Sequence, residues 1–274
     1  MGVSAPAFRG GGPTSPLVNF VPPGYSREMS MFVSAARKIL PSSVKGRVGE
    51  ALRALAPERL LPRLVRRYCV GHGLEVGAGP NPYTDPSRTE YLDKHTDNAH
   101  GTHRADMVDD AARIPRPDGS FDYLLSSHCL EHHPDTIATL NEWARVLKPG
   151  GILFLILPHA DRTFDRHREK TSLEHHLQDF GTLKGGEDRS HIAEAEAGMR
   201  KLEDLAEMEA MHRRVWGADF WDWDHRFAND AFHYHVWTQD EIVRLLQHLS
   251  FRILFVEEAV RERIDSFVVV ARKG

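Results

Sequence analysis

The stretch from His72 to Pro82, HGLEVGAGPNP, constrains the fold of this chain more than any other. A short apolar run, Leu74 and Val76 with Glu75 between them, ends in Gly77-Ala78-Gly79, the pattern of a strand that stops in a tight turn. Residues without a Cβ let the backbone turn sharply and approach a ligand closely. Pro80 and Pro82 stiffen the exit. The third glycine of the dinucleotide fingerprint is missing, with Pro82 in its place. Tyr91-Leu92-Asp93 then reads as a second short strand ending in a carboxylate, where a doubly wound sheet holds a ribose by its hydroxyls.

From residue 71 to 157 the pattern predicts alternating strands and helices, that is, a parallel sheet covered on both faces. Asp118-Gly119 marks a turn before a strand, Tyr123 to Ser126, followed by Ser127 and His128. Asp135 is placed to cap a helix whose inner face is Ile137, Leu140, Ala144 and Leu147, closed by Lys148-Pro149-Gly150-Gly151. The continuous apolar run Ile152 to Leu157 suits a central strand buried on both faces. Farther on, Thr238 and Glu241 form a capping-box pattern, and two more strands are expected near Ile253 to Val256 and Ser266 to Ala271.

Before this core lie residues 1–25, rich in Gly, Pro and Ser and expected to be disordered, and residues 26–70, a helical extension with an excess of Arg and Lys. That excess has two readings: a solvated outer face of capping helices, or a peripheral contact with an anionic membrane or lipid-linked acceptor. A formal charge of -4 gives no electrostatic case for nucleic acid. With two cysteines, no N-terminal apolar segment and no long apolar run, the chain reads as a cytoplasmic protein without a disulfide framework.

Taken together, HGLEVGAGPNP, YLD, DAARIPRPDGSFDYLLSSHCLEHHPD and NEWARVLKPGGILFLILPH resemble the class I S-adenosylmethionine-dependent methyltransferases related to ubiquinone and menaquinone biosynthesis. The resemblance implies an α/β fold: a Rossmann-like, doubly wound seven-stranded sheet, mostly parallel with an antiparallel last strand. It implies S-adenosylmethionine as cofactor, with the methionine part wrapped by Glu75, Gly77, Ala78 and Gly79 and the ribose held by Asp93. By the same resemblance Asp110 and Ala111 contact adenine, with Asp106 as the alternative, and Ser127, His128, Glu131 and His132 lie under the sulfonium. The proline-rich GPNPY and a long segment after the fifth strand depart from the family pattern.

That long segment, residues 160–236, reads as a helical lid over a small-molecule acceptor. Asp188 to Val215 has the periodicity of one long amphipathic helix. Trp221 and Trp223 are placed to stack on a sugar or another flat acceptor. An alcohol acceptor needs a base, and His159 at the end of the fifth strand is the first candidate and His128 the second. The 17 histidines invite a metal reading through His167, His175, His176 and Asp161 or Asp165. Without a zinc-ligand spacing we expect no metal. The expected activity is O-methylation of a sugar or glycan-linked acceptor. The alternatives are a lipid or other small-molecule O or N acceptor and, in another class, a non-catalytic cofactor-binding scaffold.

Overall fold

The computed structural model describes residues 59–98, 101–182 and 188–274. The expected N-terminal tail and most of the basic extension therefore lie outside the described residues. Seven strands form one sheet: β1 (Gly73–Val76), β2 (Thr89–Asp93), β5 (Met107–Val108), β6 (Phe121–Ser127), β7 (Leu147–Pro158), β8 (Phe251–Glu257) and β9 (Ser266–Lys273). Their order is β5-β2-β1-β6-β7-β9-β8. The strands β5, β2, β1, β6 and β7 pair in parallel, while β9 runs antiparallel to both β7 and β8. This is the Rossmann-like, doubly wound α/β sheet expected, with its last strand antiparallel beside the fifth. A separate antiparallel pair, β3 (Asp97–Asn98) and β4 (Gly101–Thr102), stands outside it.

The period-two alternation along β6, β7 and β9 sends side chains to two different cores. Leu124, Leu153, Leu155 and Val269 pack against α2 (Thr136–Val146) and α7 (Gln239–His248) through Ile137, Leu140, Trp143, Ile242, Leu245 and Leu246. Tyr123, Leu125, Phe154, Ile156, Val268 and Val270 pack against α1 (Leu60–Tyr68) through Leu61, Leu64 and Val65. Arg63, Arg66 and Arg67 of α1 are exposed, so this last part of the basic segment is a cap on the sheet with its charges toward water. Both predicted caps form: Asp135 accepts from Ala138 N at 2.8 Å, and Thr238 with Glu241 makes the reciprocal box at the start of α7.

The regular alternation of strand and helix is not kept before β6: among the described residues no helix joins β2 to β5 or β5 to β6, and the connection from β1 to β2 carries no helix. Prolines at 80, 82 and 86 deny it one, and Glu75 takes over the job of holding the chain. Its buried carboxylate accepts from Tyr83 N at 2.9 Å, Thr84 N at 3.0 Å and Thr84 Oγ1 at 2.5 Å. Burial still pushes the carboxyl upward, against the hydrogen bonds from Thr84 and Tyr83.

The insertion has its own small core of Ala195, Met199, Leu202, Phe220, Phe232 and Tyr234. It contains α3 (Leu173–Asp179), α4 (Ile192–Met199), α5 (Leu205–Trp216) and α6 (Trp223–Ala228). The single long helix expected from Asp188 to Val215 is in fact two. Tight turns from Lys201 N to Gly198 O and from Leu202 N to Met199 O end the first and swing Leu202 into the small core. Asp204 then starts the second while pairing with Arg166.

Candidate active site

The carboxyl ends of β1, β2 and β6 open into a cavity of about 930 Å³, the place where open α/β sheets bind ligands. Gly77, Ala78, Gly79, Asp93, Asp110, Ala111, Ser127 and His128 all line it. Gly77 and Gly79 have φ of 64° and 58°, and a Cβ on Gly77 would lie 2.8 Å from Cys129 Cβ. Glycine is thus required at 77 by conformation and by contact. Gly79 N donates to Asp93 Oδ2 at 2.9 Å, and His95 N donates to Asp93 Oδ1 at 3.0 Å. These bonds lock the ribose-type carboxylate against the turn that would wrap the cofactor. His103 Nδ1 also lies 3.0 Å from Asp93 Oδ2, an ion-pair contact off the hydrogen-bond direction.

Asp110 accepts from Ala112 N at 2.8 Å and presents a half-exposed carboxylate to the cavity. Ala111 is fixed by its carbonyl, which accepts from Trp143 Nε1 at 2.9 Å. The alternative, Asp106, accepts from Tyr91 N at 3.0 Å and is not among the lining residues. Glu75 likewise faces the β1–β2 loop and not the cavity.

His128 adopts φ of 50°, a strained conformation for a residue with a Cβ, at the turn leaving β6. Its amide donates to Ile156 O at 2.9 Å and its Nε2 lies 2.7 Å from Ser266 Oγ. Ser266 Oγ donates to Asp265 Oδ1 at 2.8 Å, so His128 Nε2 carries the proton and Nδ1 keeps its lone pair. Burial first, then the Arg263 charge, pushes its pKa down to about 3. A base so weak keeps little affinity for a proton at neutral pH.

His159 is not brought to the cavity. It is buried, its Nδ1 accepts from Asp161 N at 3.2 Å, and its ring packs edge-on against Phe267. Its bridge to Trp237 ties the end of β7 to the return of the insertion. The residue that does face the cavity with a base-like arrangement is His233. Its Nδ1 lies 2.6 Å from Asp165 Oδ2. A carboxylate can only accept there, so Nδ1 is the donor and Nε2 the lone pair. Asp165 is in turn held by the buried Arg168 at 3.0 Å. This base-with-orienter geometry joins residues 68 positions apart and was foreshadowed in the sequence by nothing sharper than the histidine-aromatic run Phe232 to Trp237.

Beside His233, His132 Nδ1 donates to Phe232 O at 2.9 Å and likewise leaves Nε2 bare. Between these rings sits Glu131, fully buried, both oxygens without a hydrogen-bond partner, 3.6 to 4.0 Å from His128 Nδ1, His132 Nε2 and His233 Nε2. Burial pushes its carboxyl up to about 7. The far wall is formed by Phe164, Met208, Met211, Val215, Trp216 and Phe220. Trp221 and Trp223 are not in it. Trp221 Nε1 donates to Glu209 at 2.7 Å, and both rings pack against the core of the insertion.

Residues 75–155 match the family model described as a methyltransferase domain. The chain is 36% identical over 111 residues to an arsenite methyltransferase of Aquipseudomonas alcaligenes, covering 38% of this chain and 30% of that protein. It is 42% identical over 60 residues to a demethylmenaquinone methyltransferase of Staphylococcus haemolyticus, covering 22% and 23% respectively. Among solved structures, a Burkholderia thailandensis 1,6-didemethyltoxoflavin-N1-methyltransferase with bound S-adenosylhomocysteine aligns with 16% identity and a TM-score of 0.46, over 89% of this chain and 86% of that one. The chain thus spans less than a third of the length of these two curated relatives. Through residues 75–155 the chain carries the pattern of a methyltransferase domain and resembles the class I S-adenosylmethionine-dependent methyltransferases.

Proposed function

We propose that the protein transfers the methyl group of S-adenosylmethionine to a hydroxyl of a small, sugar-like acceptor, with His233 as the base. The observation that carries this reading is that the Gly77–Gly79 turn, Asp93, Asp110 and His233, the last backed by the buried Asp165, line one cavity. In an in-line displacement the acceptor oxygen forms a bond to the methyl carbon as the carbon–sulfur bond breaks and its electron pair returns to sulfur. The hydroxyl proton passes to His233 Nε2, and Asp165 steadies the imidazolium that results. The chain's main contribution is alignment, since a near-attack geometry is worth several kcal/mol by itself.

A lining that includes Trp216, Phe220 and Phe164 as well as His128, His132 and His233 suits a ring that is apolar on its face and hydroxylated at its edge. The relatives are named for arsenite and demethylmenaquinone, two unlike acceptors, so their names do not choose between a sugar and a lipid or other small O or N acceptor. A cofactor-binding scaffold without turnover would give His233 no proton to accept. Contact with a membrane would fall on the basic segment before residue 59, and no described helix is long and apolar enough to cross one.

Titration calorimetry tests the cofactor assignment. Asp93→Ala is expected to weaken S-adenosylmethionine and S-adenosylhomocysteine alike by about 1.5–3 kcal/mol, the scale of hydrogen bonds to a charged group. Tight NAD binding with no heat from either sulfur compound would end the reading.

A second reading is favoured by the unpartnered Glu131. A carboxylate facing bare ring nitrogens at 3.6 to 4.0 Å suits a divalent cation bound by Glu131, His132 and His233 with a position open to the acceptor oxygen. His132→Ala separates the two: with His233 as base the rate is expected to survive, whereas an activating cation would be lost together with the rate.

A further inference from the structure

A different group of side chains gathers outside the cavity wall. His175 and Asp179 stand one turn apart on α3, His191 immediately precedes α4, and His235 lies in the segment returning from α6 to α7. Their tips converge. Asp179 Oδ2 lies 3.0 Å from His175 Nε2, 2.9 Å from His235 Nε2 and 3.6 Å from His191 Nε2. His175 Nε2 and His191 Nε2 are themselves 3.0 Å apart, and all four donor atoms fall within 4.8 Å of one another. His235 and His191 are buried, while His175 is 45% exposed at the rim.

The hydrogen bonds of this cluster leave one lone pair set against a carboxylate. Ser190 Oγ donates its hydrogen to Asp188, so at 3.0 Å it accepts from His191 Nδ1. The neutral His191 ring then has a bare Nε2, which can accept from His175 Nε2 at 3.0 Å but also faces, at 3.6 Å, an Asp179 oxygen that has no hydrogen to give. Protonating it instead sets His191 against the neighbouring imidazole at 3.0 Å and charges a buried ring. The far nitrogen of His235 is 3.0 Å from Thr136 Oγ1, at the start of α2. Histidines that ligate a metal are oriented in this way through their second nitrogen.

We propose that His175, Asp179, His191 and His235 form a four-coordinate site for a divalent transition-metal ion of the zinc type. Three imidazoles and one carboxylate oxygen are a borderline donor set that zinc takes in tetrahedral geometry. Bond lengths of about 2.0–2.2 Å place tetrahedral ligand atoms about 3.3–3.5 Å apart, and four of the six separations here, 2.9 to 3.6 Å, bracket that span, the other two lying within 4.8 Å. With four protein ligands the site is closed, so its work is structural. The ion clips α3, the approach to α4 and the segment of His235 together. Through His235, two residues beyond His233, and its contact with Thr136, it fastens them to the start of α2. The histidine set weighed from the sequence, where no metal was expected, is not the one assembled. His176 accepts from Trp237 Nε1 at 2.9 Å, His167 pairs with Glu203, and Asp165 orients His233. Among those candidates His175 alone takes part. The true partners lie 4, 16 and 60 positions away and are joined by the fold.

The full chain, purified without chelator and dialysed, is expected to retain one zinc ion that the double variant His175→Ala/His191→Ala lacks, measured by elemental analysis. That variant leaves Glu131, His132 and His233 intact, so metal held in the cavity would not be lost with it. Cobalt(II) added to the stripped wild type should give the intense visible absorption of tetrahedral coordination, and the double variant should not. His175→Ala alone, at the exposed rim, guards against misfolding: it is expected to keep native circular dichroism while binding cobalt(II) at least tenfold more weakly. Equal zinc content in wild type and double variant, or the same weak cobalt spectrum in both, would overturn the site.

Discussion

His233→Ala is expected to slow methyl transfer by about 10² to 10⁴-fold, the usual range for losing a general base, while leaving the affinity for S-adenosylmethionine nearly unchanged. The ring lines the cavity, and the bonds that hold the proposed cofactor carboxylate, Gly79 N and His95 N to Asp93, do not involve it. Asp165→Asn should cost much of the same factor by a different route. An amide presents a hydrogen-bond donor as readily as an acceptor to Nδ1 and so loses the fixed tautomer. His159→Ala supplies the contrast: its ring is engaged by Asp161 N and Phe267, away from the cavity, and the rate is expected to hold within a few-fold once the protein is folded. Single-turnover assays at saturating cofactor and acceptor measure all three. A His233→Ala enzyme as fast as wild type, or a His159→Ala enzyme slowed as much as His233→Ala was expected to be, would remove His233 from the chemistry.

The contrast between His159 and His233 shows what a one-dimensional pattern conveys. The sheet was legible because its signals are local: apolar runs of strand length, a glycine turn at Gly77–Gly79 and a capping box at Thr238 and Glu241 each fit within a dozen residues. The grouping of Asp93, Asp110, Ser127 and His128 was legible for the same reason, as they stand at or just after strand ends in the expected order, and one cavity gathers them. Glu75 was misleading. Its spacing suited a ligand contact, but the proline-rich loop after it could not form a helix and used that carboxylate to tie itself down. His159 was placed by position at the end of β7, and position fixes where the Cα lies without fixing which face the ring takes. The acceptor side was not legible, because its contacts join Asp165 to His233, Asp179 to His235 and Arg168 to Glu194 across an insertion whose path no local periodicity specifies.

Arg168→Met is expected to destabilise the protein by about 3–5 kcal/mol, the cost of breaking a buried ion pair from one side. The guanidinium is 1% exposed and fully engaged: Asp165 Oδ1 at 3.0 Å, Glu194 Oε2 at 2.8 Å, and the carbonyls of His233 and Tyr234, each at 2.8 Å. It thereby joins the start of the insertion to α4 and to the segment that carries the proposed base. Gly198 is shaped around it, since a Cβ there would come within 2.5 Å of Arg168 Cγ. Methionine fills much of the volume but leaves Asp165 buried beside one partner, His233. Arg168→Lys should rescue little, because one ammonium cannot meet four acceptors in the plane that the guanidinium fork serves. The pH dependence gives a second readout. Burial pushes the Asp165 carboxyl upward, but His233 and Arg168 outweigh it and hold its pKa below the usual value. A lowered acid contributes stability that is present above its unfolded pKa and is lost as pH falls through the folded one. Removing Arg168 leaves burial less opposed, so in the variant that acid-side loss is expected to begin at higher pH than in the wild type. Urea unfolding across the acid range measures both effects. An unfolding midpoint and an acid limb unchanged by Arg168→Met would show that the guanidinium does not hold the insertion in place.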